Sequence, residues 1–97
     1  DMLAANNWNV VQYAILVHMF AQVSGLVPGE LVHVIADAHI YDRHVPIVEQ
    51  MLTQTQSPAP KFIMDPSVTD IYAFTRDSFA LEGYTPAPFT DKIPIAI

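Results

Sequence analysis

The stretch Val10–Ser24 constrains the chain more than any other. Val11, Ala14, Ile15, Val17, Phe20, Ala21 and Val23 recur near helical spacing, while Leu16 and Met19 fill more of the circumference. A helix that is apolar on so many sides is expected to be buried on most of them. Asn7 or Asn9 is expected to cap its start, and Gly25 and Pro28 to end it. The run is shorter than the ~20 apolar residues of a membrane span. Asn rather than Lys or Arg precedes it, so it does not read as a secretory leader.

A chain of 97 residues has a high ratio of surface to volume, yet this one is 52% apolar and only 14% charged. Much of its surface is therefore expected to be covered by a further part of the same protein, by a second subunit, or by both. The first residue is Asp1 rather than Met, and the chain reads as a fragment. Ten acidic and four basic side chains leave a net charge of -6. That balance argues against a nucleic-acid phosphate partner, which needs clustered Lys and Arg. With no cysteine present, disulfides, thiolate metal sites and a cysteine nucleophile are excluded within these residues.

The remaining pattern predicts an α+β arrangement. Glu30–Ala36 carries β-branched residues on both faces, the mark of a central strand covered from both sides. A second helix is expected from a cap at Asp42 to about Thr53, with Pro46 in its first turn and an apolar stripe of Val45, Val48, Met51 and Leu52. Gln54–Pro60 reads as a loop, Lys61–Met64 as a short strand and Asp65-Pro66 as a turn. A helical turn at Thr75–Ser78 and a further strand at Phe79–Glu82 follow. Three prolines in the fourteen residues after Gly83 predict an extended tail, residues 85–97, whose apolar end Pro94–Ile97 is expected to dock.

Chemistry concentrates at Asp37-Ala-His-Ile-Tyr41, which closes the apolar run Leu31–Ala36 and precedes Asp42-Arg43-His44. His33, His39 and His44 with Asp37 and Asp42 raise the question of a metal, but His33 and His39 are six residues apart, roughly 20 Å in extended chain, and no HExxH pair is present. His39 and Tyr41 are two apart and point to one side of an extended chain, where imidazole and phenol can clamp a sugar hydroxyl. The same pair can equally satisfy buried backbone groups. Asn6-Asn7-Trp8-Asn9 offers amides that match the imide edge of a uracil-type base and an indole to cover an aromatic ligand, and it serves as well for caps and turns. His18 reads as a core histidine. Asp65, Asp70, Asp77 and Glu82 read as solvated surface.

Taken in order, Tyr13–Met19 with Ala21-Gln22, Gly25–Glu30 with Val32-His33, Asp37–Tyr41 with His44, Pro60-Lys61, Glu82-Gly-Tyr84 and the terminal Ala96-Ile97 resemble the C-terminal part of the thymidylate synthase family. The resemblance spans nearly the whole chain and implies that residues 1–97 are the C-terminal portion of such a domain. It implies reductive methylation of dUMP to dTMP, with 5,10-methylenetetrahydrofolate giving both carbon and hydride, and no metal. It implies a cytoplasmic homodimer with no nucleic-acid or membrane partner. Asn9 would hold the pyrimidine edge, and His39 and Tyr41 the deoxyribose 3′-hydroxyl. Asp1 would meet the pterin ring, Ala4, Ala5 and Trp8 would line the folate side, and Ile95-Ala96-Ile97 would close over the ligands.

An Asn at position 9 favours uracil, whereas in the sister hydroxymethylases acting on dCMP an acid there suits cytosine. A hydroxymethylase on the same scaffold is the nearest alternative, and a non-catalytic binding module with an apolar partner face is a more distant one. Ile35-Ala36 stand where the family has glycine, Asn7 and Trp8 replace a common proline and phenylalanine, and Thr53–Ser57 lacks the usual arginine. The family's cysteine nucleophile has no counterpart here, and Arg43 and Arg76 do not match its phosphate-binding arginines. These residues alone are expected not to turn over substrate.

Overall fold

The structure, a computed structural model, describes residues 1–89 and 92–95. Helix α1 runs Asn6–Ser24, starting four residues before the expected Val10. Neither asparagine caps it. Ala5 precedes the helix in αR geometry and no side chain bonds the cap, while Asn7 and Asn9 lie inside the first turns. Asp1 does the corresponding work one turn earlier, where its Oδ1 accepts from the backbone N–H of Leu3 at 3.0 Å and of Ala4 at 3.1 Å. Its own carbonyl accepts from Asn6 N at 2.9 Å. Asp1 thereby organises the turn that leads into the helix.

The other end behaves as expected. Gly25 has φ 67°, its N–H donates to Gln22 O, and Leu26 N–H donates to Ala21 O. This pair of bonds is a Schellman motif, which closes the last carbonyls and turns the chain away.

Burial on most sides is not what α1 shows. Ala21 alone is buried along it, Val11, Tyr13 and Phe20 are about half exposed or more, and Ile15, Leu16 and Val17 are half-buried. The central strand is a second correction: residues 30–36 carry no strand assignment and are exposed. A strand requires a ladder partner for its backbone groups. Among the described residues the only sheet is a two-stranded one elsewhere, so the apolar composition of Leu31–Ala36 has nothing to pair with.

Asp42–His44 forms a 3-10 turn that leads into α2, Val45–Leu52, with Pro46 at its start and Thr53 just beyond its end. Tyr41 and His44 precede the two pieces and no side chain caps either, so the expected Asp42 cap is absent. Val48 and Met51 face inward, with Ile47 beside them, while Leu52 is 80% exposed.

Strand β1, Lys61–Met64, pairs antiparallel with β2, Phe79–Glu82, both at their expected bounds. Between them lie two 3-10 turns, Ile71–Ala73, capped by the Asp70 carboxylate on Tyr72 N, and Arg76–Ser78. Phe62 stacks on Phe79, Phe79 on Phe74, and the half-buried His18 of α1 packs on Phe62. Gln22 ties the helix to this unit by donating to the carbonyls of Asp65 at 2.9 Å and Val68 at 2.7 Å. Residues 84–89 and 92–95 carry no regular structure, as the prolines predict. No helix of the described residues is long and apolar enough to cross a membrane.

Candidate functional site

The start of α1 and residues 31–36 enclose a cleft of about 620 Å³, lined by Asp1, Met2, Ala5, Asn6, Asn9, Tyr13 and the segment from Leu31 to Ala36. Its geometry follows from helical spacing. Ala5 and Asn9 are four apart and Asn6 and Asn9 three apart, so these side chains share a face of the helix. Asn6 Oδ1 lies 3.0 Å from His33 Nε2, a hydrogen bond that holds the exposed segment against the helix. His33 is therefore a cleft-wall residue tied to Asn6. Among the described residues no three His, Cys, Asp or Glu side chains converge as a metal group.

Of the residues given a ligand by the resemblance, Asp1, Ala5 and Asn9 meet on this wall, joined by Asn6 and His33. Ala4 and Trp8 do not line it; Trp8 projects from α1 at 79% exposure. Ala96 lies outside the described residues. His39 and Tyr41 form their own pair, ring centroids 4.9 Å apart in an edge-to-face contact. They join the cleft through the backbone, since Met2 N–H donates to His39 O at 2.9 Å.

His39 Nδ1 is 3.0 Å from the Asp37 carbonyl and 3.5 Å from its carboxylate. Both oxygens only accept, so Nδ1 carries the proton and the neutral ring leaves Nε2 as an acceptor. Beside it the Tyr41 phenol is both donor and acceptor, which together suits a ligand hydroxyl. Asp37 acts by fixing this tautomer.

The sequence names Asn6 only as one amide of the Asn6–Asn9 group, gives no role to Met2 or Tyr13 of the cleft wall, and gives His44 no role of its own. Periodicity would have recovered Asn6, three residues before Asn9, and Tyr13, four after it. His44 is buried against Tyr41, rings 5.4 Å apart. A second, larger cleft of about 820 Å³ opens on the other side of Leu3 and Asn7, bounded by α2, the loop 54–60 and Tyr84–Ala87.

The family model for thymidylate synthase matches residues 1–97. Among solved structures the chain is similar to thermostable thymidylate synthase A from Bacillus subtilis, with a TM-score of 0.88 and 37% identity. That match covers 100% of this chain and 34% of the Bacillus chain, so the residues in hand span about a third of its length. A match over the full chain, on a mixed fold of two helices and a small antiparallel sheet, shows that the chain belongs to the thymidylate synthase family.

Proposed function

We propose that this chain supplies part of the substrate site of an enzyme that converts dUMP to dTMP by reductive methylation with 5,10-methylenetetrahydrofolate. The observation that carries this reading is the wall shared by Asp1, Ala5 and Asn9, in a chain matched end to end by the family model. The Asn9 amide offers a donor to a pyrimidine carbonyl and an acceptor to its ring N–H, the complement of a uracil edge. One turn away, Asp1, Ala4 and Ala5 take the folate side, with the exposed Trp8 face free to cover the pterin. The His39 Nε2 acceptor and the Tyr41 hydroxyl hold the deoxyribose 3′-hydroxyl.

When bound, the reduced folate supplies one carbon and a hydride and leaves as dihydrofolate. This chain contributes orientation and exclusion of water to that step, and Ile95-Ala96-Ile97 complete the enclosure. A thiolate that adds to the pyrimidine ring is not among these residues, because the chain has no cysteine. In the protein that carries this chain, two copies pair as a homodimer.

The test is an assay of the intact protein with dUMP and methylenetetrahydrofolate, following dihydrofolate release. Release in step with dTMP is expected, and Asn9→Asp should move preference from dUMP toward dCMP. Formation of a hydroxymethylated nucleotide with tetrahydrofolate left unoxidised would replace this reading with hydroxymethylation. A protein that binds neither ligand would sink both.

A further inference from the structure

The proposed reaction leaves His44 without a task, yet at 2% exposure it is the most deeply buried side chain among the described residues. Its Nε2 lies 2.9 Å from the carbonyl oxygen of Pro94, fifty residues away in sequence. A carbonyl oxygen only accepts, so Nε2 carries the proton and donates. In the neutral ring Nδ1 is then a bare acceptor. It has no hydrogen-bond partner and sits 3.9 Å from Asp1 Oδ1, an oxygen already engaged by the N–H groups of Leu3 and Ala4. Tyr41, edge-on at 5.4 Å, holds the ring plane. An imidazole locked in this way positions a backbone group.

We propose that His44 is a positioning residue that ties the C-terminal segment, at Pro94, to the turn that opens α2, beside Asp1 of the folate-side wall. Pro94 is a suitable anchor: its φ is fixed by the ring, so pinning its carbonyl sets the direction in which the chain continues. The purpose of the tie, holding the tail in register over the ligands, rests on the proposed function. The tie itself does not.

Substitution separates the two nitrogens. The amide nitrogen of Gln reaches the position of Nε2 and can still donate to Pro94, whereas Phe keeps the packing on Tyr41 and has no donor. In the intact protein with ¹⁵N-labelled histidine, the signal lost in His44→Gln identifies His44. That signal is expected to show the Nε2–H tautomer, and the Nδ1–H tautomer would overturn the proposal without any variant having to be interpreted.

Backbone hydrogen exchange at Ile95, the residue after Pro94, is expected to accelerate about tenfold in His44→Phe, the equivalent of one lost hydrogen bond, and to stay near wild type in His44→Gln. Unchanged exchange in the Phe variant, or equal acceleration in both, overturns the tie. In turnover, His44→Phe raises KM for the reduced folate and His44→Gln restores it; a KM that does not move in the Phe variant removes the link to ligand positioning. The tautomer and exchange readouts need no turnover, so an inactive wild type would count against the proposed function alone.

Discussion

At the scale of single residues, the chain repeatedly uses short-range acceptors to fix its turns. Asp65 is the clearest case. The Ser67 hydroxyl donates to its Oδ1 at 2.7 Å and the Ser67 N–H at 2.9 Å, and these bonds, the hydroxyl first, hold its carboxyl below the ordinary value of 3.8. A carboxyl depressed in the folded state is deprotonated there while the unfolded chain binds a proton. Its contribution is complete above about pH 3.8 and fades as pH falls through the lower folded value. Asp65 is fully exposed, so the contribution is small. Ser67→Ala is expected to raise the Asp65 titration midpoint toward the ordinary value, read by carboxyl-carbon NMR in acid; an unchanged midpoint would assign the shift elsewhere. Asp1 and Asp70 act in the same manner, each accepting from backbone N–H groups two or three residues ahead. That habit explains why Asp1 rather than Asn7 or Asn9 organises the start of α1.

At the scale of elements, α1 is set by its two ends and by Gln22. Its C-terminus depends on Gly25 at φ 67°, where a Cβ would meet nothing within 4 Å. The cost of a side chain there is conformational, with no clash involved. Gly25→Ala is expected to destabilise the intact protein by about 1 kcal/mol, a fall in Tm of roughly 2–4 °C for a domain of ordinary size, with Gly25→Asn costing less. Thermal denaturation of the three proteins checks this, and an Ala variant as stable as wild type would mean that the Schellman closure contributes nothing. Elements held by neighbouring residues were legible from sequence: Gly25 as a stop, Pro46 in a first turn, and Lys61–Met64 and Phe79–Glu82 as strands. The Ile71–Ala73 turn was not, because its apolar residues give no period and its signal is the single Asp70.

At the scale of the whole molecule, the described residues do not close a core. The chain presents 7833 Å², where a compact chain of this size exposes about 5,500 Å². Its radius of gyration is 16.4 Å against about 12.5 Å for a compact chain of this length. Leu3 and Ala21 are the only buried hydrophobic residues described, while Val27, Val32, Val34 and Tyr72 are each more than three-quarters exposed. A chain that spans 34% of a matched family member, with this much apolar surface uncovered, gains too little burial to offset the entropy of folding. The isolated 97 residues are therefore expected to bind a hydrophobic dye and to show no cooperative calorimetric transition. A sharp transition with an enthalpy of roughly 60–80 kcal/mol would show instead that this chain is stable alone.

The same contrast of range separates what the sequence determined from what the tertiary structure decided. Sequence alone determined the helix ending at Gly25, the hairpin strands, the irregular proline tail and the resemblance to a family, and it placed His39 beside Tyr41 because two-residue spacing is geometry enough. The tertiary structure decided that Leu31–Ala36 is not a strand here, since pairing needs a partner that composition does not name. It decided that Asn6 meets His33 across 27 residues and that His44 meets Pro94 across 50. Local conformation is fixed by the sterics and hydrogen bonds of adjacent residues, and so it is written in adjacent letters. Contacts that close long loops depend on how whole elements pack, and no local pattern records them.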